Sequence, residues 1–202
     1  MSSSDRYVGG YRIEALTLAT WDAYAGLAER HNGVWGGCWC VFFHAFPDPP
    51  ERKELGNREF KHLLVRQDRT HAAVVFDGDE AIAWAQYGPV GELPNIHHRK
   101  EWENGVLQVP DYRITCLFVD RRYRRQGVAA IAVGGALALI AGAGGGLVES
   151  YPHDLPPEKK TSSSFLYNAT RTMYEQLGFT YQRPKGKGNC VMTKVVPDRI
   201  ES

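Results

Sequence analysis

The sequence predicts an α/β (α+β) protein with a single mixed, mostly antiparallel central sheet and helices on both faces. Three observations support this fold class. The strand-like segment 112–119 is followed by a glycine-bearing turn and then by a long apolar helix. Asp77 and Gly78 form a turn between two apolar segments, which is a strong signal for a β-hairpin. The chain contains no repeat, coiled-coil heptad or long linker that would divide it.

The first half of the chain predicts the element order βααββ. The ranges of these elements are 11–17, 20–30, 51–67, 72–76 and 81–87. Thr20 is the expected N-cap of the first helix. The segment 32–44 combines glycines with a dense run of aromatic and aliphatic residues, and prolines end it as a loop. The polar segment 94–105 is expected to be irregular.

The second half predicts a strand, a helix, a strand, a helix and a final antiparallel strand pair. The ranges are 112–119, 126–142, 146–151, a helix from Ser163 or Ser164 to Leu177, and 179–183 with 189–196. This order places helices on both faces of one sheet.

Length and composition predict one domain of ordinary size. The chain has 202 residues, of which 43% are hydrophobic and 23% charged, so it can bury a core without staples. We expect a flexible N-terminus over residues 1–10 and a single domain over 11–197. The formal net charge of +1 gives no reason to expect binding to nucleic acid or to an anionic membrane.

The segment 126–148 carries no charge and is long enough to raise the question of a membrane span. The glycine-rich stretch 142–146 is expected to end its helix after about 16 residues, or roughly 24 Å, which is shorter than a bilayer core. A buried helix is therefore expected. Because the N-terminus is polar and has no apolar signal region, we expect a cytoplasmic protein.

The chain contains four cysteines: Cys38, Cys40, Cys116 and Cys190. In a chain without an export signal these are expected to be reduced thiols. Cys38 and Cys40 lie near His31 and His44 in the sequence, which raises the question of a zinc site. The Cys-x-Cys spacing is tighter than that of zinc sites and no second pair follows, so no metal is expected. Small apolar side chains buried in an aromatic segment are the expectation.

Basic residues, a glycine and a helix start follow the strand 112–119. The free N–H groups of the first helical turn and the positive end of the helix dipole favour a bound anion. Gly127 allows a ligand to approach the backbone, and Arg124 and Arg125 can add charge-assisted hydrogen bonds. The loop therefore predicts a diphosphate site, with a solvated helix start as the alternative. It lacks the residues of a P-loop and of a dinucleotide-binding glycine triplet.

The order strand, Arg-x-x-Gly-x-Ala, helix resembles the acetyl-CoA pyrophosphate loop of the GNAT superfamily of N-acetyltransferases. Arg124, Gly127 and Ala129 occupy its three defined places. The segment 174–179 is similar to the late helix of the family and its Gly-Phe exit into the next strand. The resemblance is firm over residues 110–196. Over residues 10–95 only the order of elements matches.

This resemblance implies an N-acetyltransferase that transfers the acetyl group of acetyl-CoA to an amine of a small molecule or peptide, by direct attack in a ternary complex. The alternative is a non-catalytic acyl-CoA-binding regulatory module on the same fold. The family includes monomers and dimers, so a homodimer is possible. The acceptor amine is not specified by a resemblance of fold.

The resemblance also implies a set of cofactor-binding residues. The main chain of the strand before the loop would grip the pantetheine arm, the loop and helix start would surround the diphosphate, and an asparagine would bind the arm. The corresponding residues are Leu117, Phe118, Val119, Arg124, Arg125, Gln126, Gly127, Val128, Ala129, Ala130 and Asn168. The asparagine lies six residues before Tyr174, where the family more often has seven.

Two residues are candidates for catalysis. Tyr174 has the spacing of the general acid of the family, which protonates the leaving thiolate; its alternative role is packing on the sheet. Glu149 is the candidate general base, acting through a water; its alternative is an outward, solvated position. The histidines in predicted loops are further candidates for the base, and a proton path made of waters alone is also consistent with the resemblance. These histidines are His44, His97, His98 and His153.

The acceptor site in this family is built mainly from the first two helices and the loop between them. In this chain the loop carries Trp35, Trp39, Phe42 and Phe43. These rings can line a pocket for an apolar or aromatic amine, or stack on a cationic one. The alternative is that they fill the core beneath a long loop.

Overall fold

One eight-stranded sheet organises the part of the chain that the computed structural model describes, residues 7–154 and 167–199. The elements, in chain order, are β1 (Tyr7–Val8), β2 (Tyr11–Ala15), α1 (Trp21–Glu29), α2 (Pro50–Arg66), β3 (His71–Asp77), β4 (Glu80–Pro89), α3 (Arg99–Gly105), β5 (Tyr112–Val119), α4 (Val128–Gly142), β6 (Gly146–Ser150), α5 (Arg171–Gln176), β7 (Thr180–Lys185) and β8 (Asn189–Val196). The strand order is β1-β2-β3-β4-β5-β6-β8-β7. Within these residues every neighbouring pair is antiparallel except β5 and β6. The predicted fold class is confirmed.

Each face of the sheet carries a hydrophobic core. On one face, α1, α2 and the segment between them pack over rings such as Trp84 and Phe118. On the other face, α4 packs through Val133 and other small side chains. A Cβ added at Gly135 would lie 2.6 Å from Cγ2 of Ile13, so glycine allows this helix to rest directly on the sheet. The close contact sets where the N-terminus of α4 meets the end of β5.

Helix α4 ends at Gly142, as the glycine-rich stretch after it predicts. It has 15 residues and covers the central strands. None of the helices in residues 7–154 and 167–199 has the length and apolarity needed to span a bilayer.

Two segments of the structure differ from the sequence prediction in their interiors. Helix α2 is interrupted at Gly56, which has φ 76° and ψ 166°, whereas the sequence predicts a continuous helix. The polar segment predicted as irregular contains α3, which His98 precedes in a left-handed conformation. Only Trp102 of this short helix is buried, so its polar composition hides the helix from a periodicity analysis.

The ends of two other elements also differ. Residues 7–8 lie in the segment expected to be flexible, yet they pair with β2 as a short edge strand. The helix predicted from Ser163 or Ser164 is α5, which begins only at Arg171. Both serines lie outside the described residues. Ala169 has a φ of 52°, which no α-helix accommodates, and the Thr170 hydroxyl accepts a hydrogen bond from the Met173 N–H at 3.4 Å as the N-cap.

Strands β5 and β6 diverge after three paired residues. Their parallel register ends with Ile114 opposite Ser150, where β6 stops, whereas β5 continues to Val119. Thr115 forms a bulge against β4, because the register shifts between the residues on either side of it. The second half of β5 therefore turns one edge of its backbone toward a cleft, and the candidate site lies there.

Candidate active site

The predicted diphosphate loop stands at the N-terminus of α4. Gly127 is the N-cap with φ 79°, and Arg125 is also left-handed with φ 62°. The Ala130 N–H donates to the Gly127 carbonyl at 3.0 Å. Val128 and Ala129, the first two helical residues, have no intrahelical acceptor for their N–H groups. Their N–H groups and the helix dipole suit this end of α4 to an anion, as the sequence predicts.

The arginines near the loop divide into an anchor and a cavity lining. Arg122 donates to Asp120 Oδ2 at 2.8 Å and to Glu80 Oε1 at 2.6 Å, so its guanidinium is held away from the helix end. Arg124 and Arg125 instead line a cavity beside the loop. These are the two arginines that the sequence assigns to the diphosphate.

Asp120 holds the start of the loop in place. Its side chain is 2% exposed, accepts from the Arg122 N–H at 3.0 Å and lies 3.4 Å from His31 Nε2. Burial alone would raise the pKa of Asp120, but hydrogen bonds from Arg122 and His31 lower it well below its usual range. The carboxylate is therefore charged and fixes the turn that leads into α4.

A cavity of about 320 Å³ opens beside the loop, between β5, the start of α4 and α5. Most of the predicted cofactor residues line it. They are Leu117, Phe118, Val119, Arg124, Arg125, Gly127, Val128, Ala129 and Ala130. The structure thus brings the predicted strand and the predicted loop together around one space. Their role in binding a cofactor stays a prediction.

Two predicted cofactor residues are placed differently. The Gln126 side chain donates to the Arg122 carbonyl at 3.0 Å, which leaves only its backbone for a ligand. Asn168 is 3% exposed and donates to the Tyr151 carbonyl at 3.2 Å. Its Oδ1 is buried and has no hydrogen-bond partner among the described residues. The next residue, Ala169, lines the cavity, whereas Asn168 itself does not.

The sequence analysis missed one side of the cavity. The turn before α5 and one face of that helix supply four lining residues, and two more come from elsewhere: Ala169, Thr170, Met173, Gln176, Trp35 and Tyr123. Met173 and Gln176 are three residues apart, which places them on one helix face. That signal was present, but the predicted start of the helix concealed the turn before it.

The backbone edge of β5 is partly occupied. The Leu117 N–H donates to the Tyr167 carbonyl at 2.6 Å, on the edge opposite β4. Since N–H groups alternate along a strand, the Val119 N–H lies on the same edge. The resemblance assigns this edge to the pantetheine arm. In the structure the Leu117 N–H on this edge is already bonded to the Tyr167 carbonyl.

The predicted general acid, Tyr174, lies in the core. It is 0% exposed, and its ring packs edge-on against Phe179 with 4.9 Å between centroids. Its hydroxyl lies near Ser150 without a hydrogen bond of normal geometry. Burial raises the pKa of Tyr174, and Ser150 offsets part of the rise. Within the described residues it lines neither of the cavities at this site, so packing on the sheet describes its position.

The predicted general base, Glu149, is buried rather than solvated, so the alternative of an outward position is wrong. It is 3% exposed, and its Oε1 accepts from Trp102 Nε1 at 2.5 Å and from the Tyr151 hydroxyl at 2.6 Å. Burial raises the pKa of Glu149, and these two hydrogen bonds lower it in part. The carboxylate is held on the paired section of β6, opposite Arg113.

A further cavity of about 330 Å³ shares Trp35 with the first one. Of the four loop rings predicted for the acceptor, Trp35, Phe42 and Phe43 line it. Trp39 does not, which corrects the prediction. Trp39 is 7% exposed and stacks on Trp21 in the core, with 6.2 Å between centroids. The aromatic cavity, as we call it, is lined by Trp35, Cys38, Cys40, Phe42, Phe43, His97, Cys116 and Tyr167.

Three sulfur atoms belong to the aromatic cavity. Cys40 and Cys116 form a disulfide across 76 residues, so the expectation of reduced thiols is wrong for this pair. Cys38 is a free thiol. Because Cys116 precedes Leu117, the disulfide ties β5 to the segment between α1 and α2. Cys190, the other free thiol of the described chain, is buried elsewhere, and burial raises its pKa to about 12.

The histidines that raised the question of zinc have other partners. His31 faces Asp120, and His44 Nδ1 lies 2.9 Å from the Glu92 carbonyl. In the part of the chain that the structure describes, no group of three or more His, Cys, Asp or Glu side chains is arranged to hold a metal ion.

A family model provides the decisive comparison. The model of the acetyltransferase (GNAT) family matches residues 34–151, which are more than half of the chain and run from the segment before α2 through α4 to the end of β6. The chain belongs to the GNAT acetyltransferase family. Its members are acyltransferases that use acetyl-CoA. The resemblance found in the sequence is thereby confirmed at the level of the family.

Solved GNAT structures share the fold over nearly the whole chain. A GNAT-family protein from Desulfovibrio desulfuricans has a TM-score of 0.54 at 17% identity, over 92% of this chain and 99% of that one. The GNAT domain of S. lividans PAT has a TM-score of 0.54 at 16% identity, over 94% and 93%. A GNAT-family acetyltransferase from Streptococcus agalactiae has a TM-score of 0.52 at 13% identity, over 94% and 97%. At these identities the likeness establishes the fold alone. A search of curated protein sequences found no match.

Proposed function

We propose that this GNAT protein is an N-acetyltransferase that transfers the acetyl group of acetyl-CoA to an amine of a small molecule or peptide, by direct attack in a ternary complex. One observation carries the proposal. The cavity at the N-terminus of α4 is lined by the predicted anion-binding loop and by Trp35, which it shares with the aromatic cavity. A phosphate-bearing donor and an acceptor can therefore meet at one indole ring.

The residues present fit a diphosphate joined to an amide-bearing arm. A Cβ added at Gly127 would contact nothing within 4 Å, so the space over the loop is open to a ligand. Arg124 and Arg125 would neutralise the diphosphate together with the helix end. The Val119 N–H would donate to the arm, and the orphaned Asn168 Oδ1 would accept from one of its amides.

Acetyl-CoA would supply the thioester, whose C–S bond breaks as the bond from the amine nitrogen to the acetyl carbon forms. What the chain contributes first is position. Holding both reactants in one cleft removes much of the entropic cost of their encounter, which is worth several kcal/mol of the barrier. The walls of β5 and α4 are rigid elements and suit that role.

A thermal-shift titration tests the donor site. Acetyl-CoA and CoA, but not ATP, are expected to raise the Tm of the wild type, because a ligand that binds only the native state stabilises it by about 2.7 kcal/mol at 100 times its Kd. The shift is expected to disappear in the double variant Arg125→Ala/Gly127→Glu. It should persist in Arg121→Ala, which removes an exposed arginine that does not line the cavity.

Far-UV circular dichroism of the double variant checks that it folds. A wild type whose Tm responds to none of the three ligands would contradict the proposal.

A second candidate function, a module that binds CoA without turnover, is favoured by two observations. Tyr174 is buried outside the cavities, and Glu149 is engaged by two donors. The two functions differ in the release of CoA thiol when acetyl-CoA is mixed with a panel of amines. Release that depends on the amine supports the enzyme, whereas a CoA-induced shift without any release supports the module.

A further inference from the structure

We propose that the aromatic cavity takes an apolar, ring-bearing amine in its neutral form, and that His97 and Tyr167 are the acid–base pair of the reaction. His97 would accept the proton of the attacking amine, and Tyr167 would protonate the leaving sulfur. This inference rests on the proposed N-acetyltransferase function and names the acceptor class and the proton path for it.

The chemistry of the walls indicates the class of acceptor. The rings of Trp35, Phe42 and Phe43 come from the segment between α1 and α2. The Tyr167 ring lies against two of them, 6.1 Å from Trp35 and 6.4 Å from Phe43 between centroids. Among the described residues no carboxylate lines the cavity, so an ammonium there would meet ring faces but no counter-charge. A volume of about 330 Å³ suits a small molecule rather than a long polyamine.

A positive charge stands behind one wall. The Lys185 ammonium donates to the His97 carbonyl, and its ring contact with Tyr151 keeps it there, 4.5 Å from the centroid. Burial lowers the pKa of Lys185 to about 8, with Glu149 and Glu101 opposing that shift, so it remains mainly charged at neutral pH. A cationic acceptor would be repelled from this wall, whereas a neutral amine would not.

His97 has the position of a general base. Its ring stacks on Phe42 at 4.7 Å between centroids and lines the cavity, while the residue remains exposed to solvent at the mouth. Packing against the neighbouring rings lowers the pKa of His97, and the charges of Lys185 and His98 lower it further. The imidazole is therefore neutral at pH 7, and water can remove the proton that it gains.

Tyr167 has the position of the acid. Its ring centroid lies 5.8 Å from that of His97 and 6.1 Å from that of Trp35. Its carbonyl accepts the Leu117 N–H at 2.6 Å, which holds the residue at the open edge of β5. Partial burial raises the pKa of Tyr167, so the phenol is protonated at neutral pH and can donate to the sulfur as the C–S bond breaks.

The proton balance closes with these two groups. As the C–N bond forms and the C–S bond breaks, one N–H proton passes to a ring nitrogen of His97 and the Tyr167 phenol proton passes to sulfur. The products are an N-substituted acetamide and CoA thiol. The proton on His97 then leaves to solvent and the Tyr167 phenolate regains one, which restores both groups. Two titratable groups with pKa values displaced in opposite directions are the expected pattern for such a pair.

The experiment compares His97→Gln and Tyr167→Phe with two controls of the same chemistry. His98→Gln removes the adjacent exposed histidine, which does not line the aromatic cavity, and Tyr181→Phe removes a half-buried tyrosine outside both cavities. The acceptors are 2-phenylethylamine and spermidine. For each protein we would measure kcat and KM from CoA thiol release against pH, and the Kd of acetyl-CoA by calorimetry.

We expect the wild type to prefer 2-phenylethylamine. His97→Gln is expected to lower kcat by about 100-fold or more and to remove the acid limb of the kcat profile, which reports the groups of the bound complex, with acetyl-CoA affinity unchanged. Tyr167→Phe is expected to lower kcat without the same change in the acid limb. Tyr181→Phe should retain wild-type rates, and His98→Gln should retain the wild-type kcat on the plateau of the profile, with at most a small shift of the acid limb, because His98 affects the pKa of His97.

A readout besides activity tests the cavity itself. N-(2-phenylethyl)acetamide, added to the CoA-loaded wild type and to His97→Gln, is expected to quench or shift tryptophan fluorescence through Trp35 with similar affinity in both proteins. Binding of the amide without turnover of the amine by the wild type would overturn the acid–base pair. Equal rates for His97→Gln and His98→Gln would do the same.

The remaining outcomes distinguish a failure of the acceptor site from a failure of the donor site. A preference for spermidine, or no binding of the amide, would overturn the apolar acceptor. A wild type that fails to bind acetyl-CoA in calorimetry would instead overturn the proposed function on which this inference rests.

Discussion

The diphosphate loop and the aromatic cavity are built in opposite ways. The loop is a run of neighbouring residues, 124–129, whose proposed role depends on backbone N–H groups and one helix end. The aromatic cavity gathers side chains from positions as distant as Trp35 and Tyr167. The comparison shows that a site made by local backbone geometry is visible in a single sequence. A site made by side chains from distant segments becomes visible only when the chain is folded.

Trp39→Ala and Trp35→Ala provide the largest test of this difference. The two tryptophans have similar sequence surroundings, yet Trp39 is in the core and Trp35 lines both cavities. We expect Trp39→Ala to lower the free energy of unfolding by about 3–5 kcal/mol, because it leaves a large space in a packed region. Trp35→Ala should cost less stability and should weaken the binding of both ligands. Urea denaturation and calorimetry give the two quantities.

Equal losses of stability in the two variants would show that the segment between α1 and α2 is uniformly core. Retained ligand binding in Trp35→Ala would contradict its place in the site.

The sequence predicted the elements whose signals are local. The Asp77–Gly78 turn joins β3 and β4, and α4 ends at the start of its glycine-rich stretch. Both features occur at the positions that the sequence predicts. Helix α3 was not predicted, because its single buried side chain, Trp102, gives the segment no apolar periodicity. The break of α2 at Gly56 was not predicted, because an isolated glycine is compatible with a continuous helix.

The candidate site follows the same division. Nine of the eleven predicted cofactor residues line one cavity. They lie on the end of a strand, on the loop after it and on the helix start, all of which the sequence defines. The pairing of Cys40 with Cys116 depends on how β5 meets a distant loop, and no spacing rule reports it. Glu149 was ambiguous because a strand position alone does not reveal that Trp102 and Tyr151 would cover it.

Asp120→Asn tests whether the loop is preorganised by its anchor. We expect the variant to lose about 2 kcal/mol of the free energy of unfolding at pH 7, because hydrogen bonds between charged partners are replaced by weaker ones. The pKa of Asp120 is lower in the folded state than the unfolded value of about 3.9. Its contribution is therefore complete above about pH 4 and is lost as the pH falls through the folded pKa.

Urea denaturation of both proteins across that pH range should show the difference narrowing with acidification. Asp79→Asn is the control, because that carboxylate is fully exposed and its ion pair with Arg12 is long, at 4.0 Å. A difference that is independent of pH would contradict the charge-based anchor.

Arg125→Gly and Arg125→Ala give the smallest expected effect and separate backbone from side chain. Both remove the guanidinium, so both should weaken acetyl-CoA binding to the same extent. Because position 125 has a φ of 62°, the glycine variant should be more stable than the alanine variant by about 1 kcal/mol. Thermal unfolding of the two unliganded variants measures this difference. Equal stability would mean that the left-handed turn is not retained without the arginine.

Trp35 gives the two cavities a common wall. A ligand that displaces this ring when it binds on one side changes the binding free energy on the other side. Thermodynamic reciprocity then requires the donor to alter the affinity for the acceptor by the same factor as the acceptor alters the affinity for the donor. Under the proposed function the two substrates would therefore be coupled ligands, and a dissociation constant for either one would have meaning only at a stated concentration of the other.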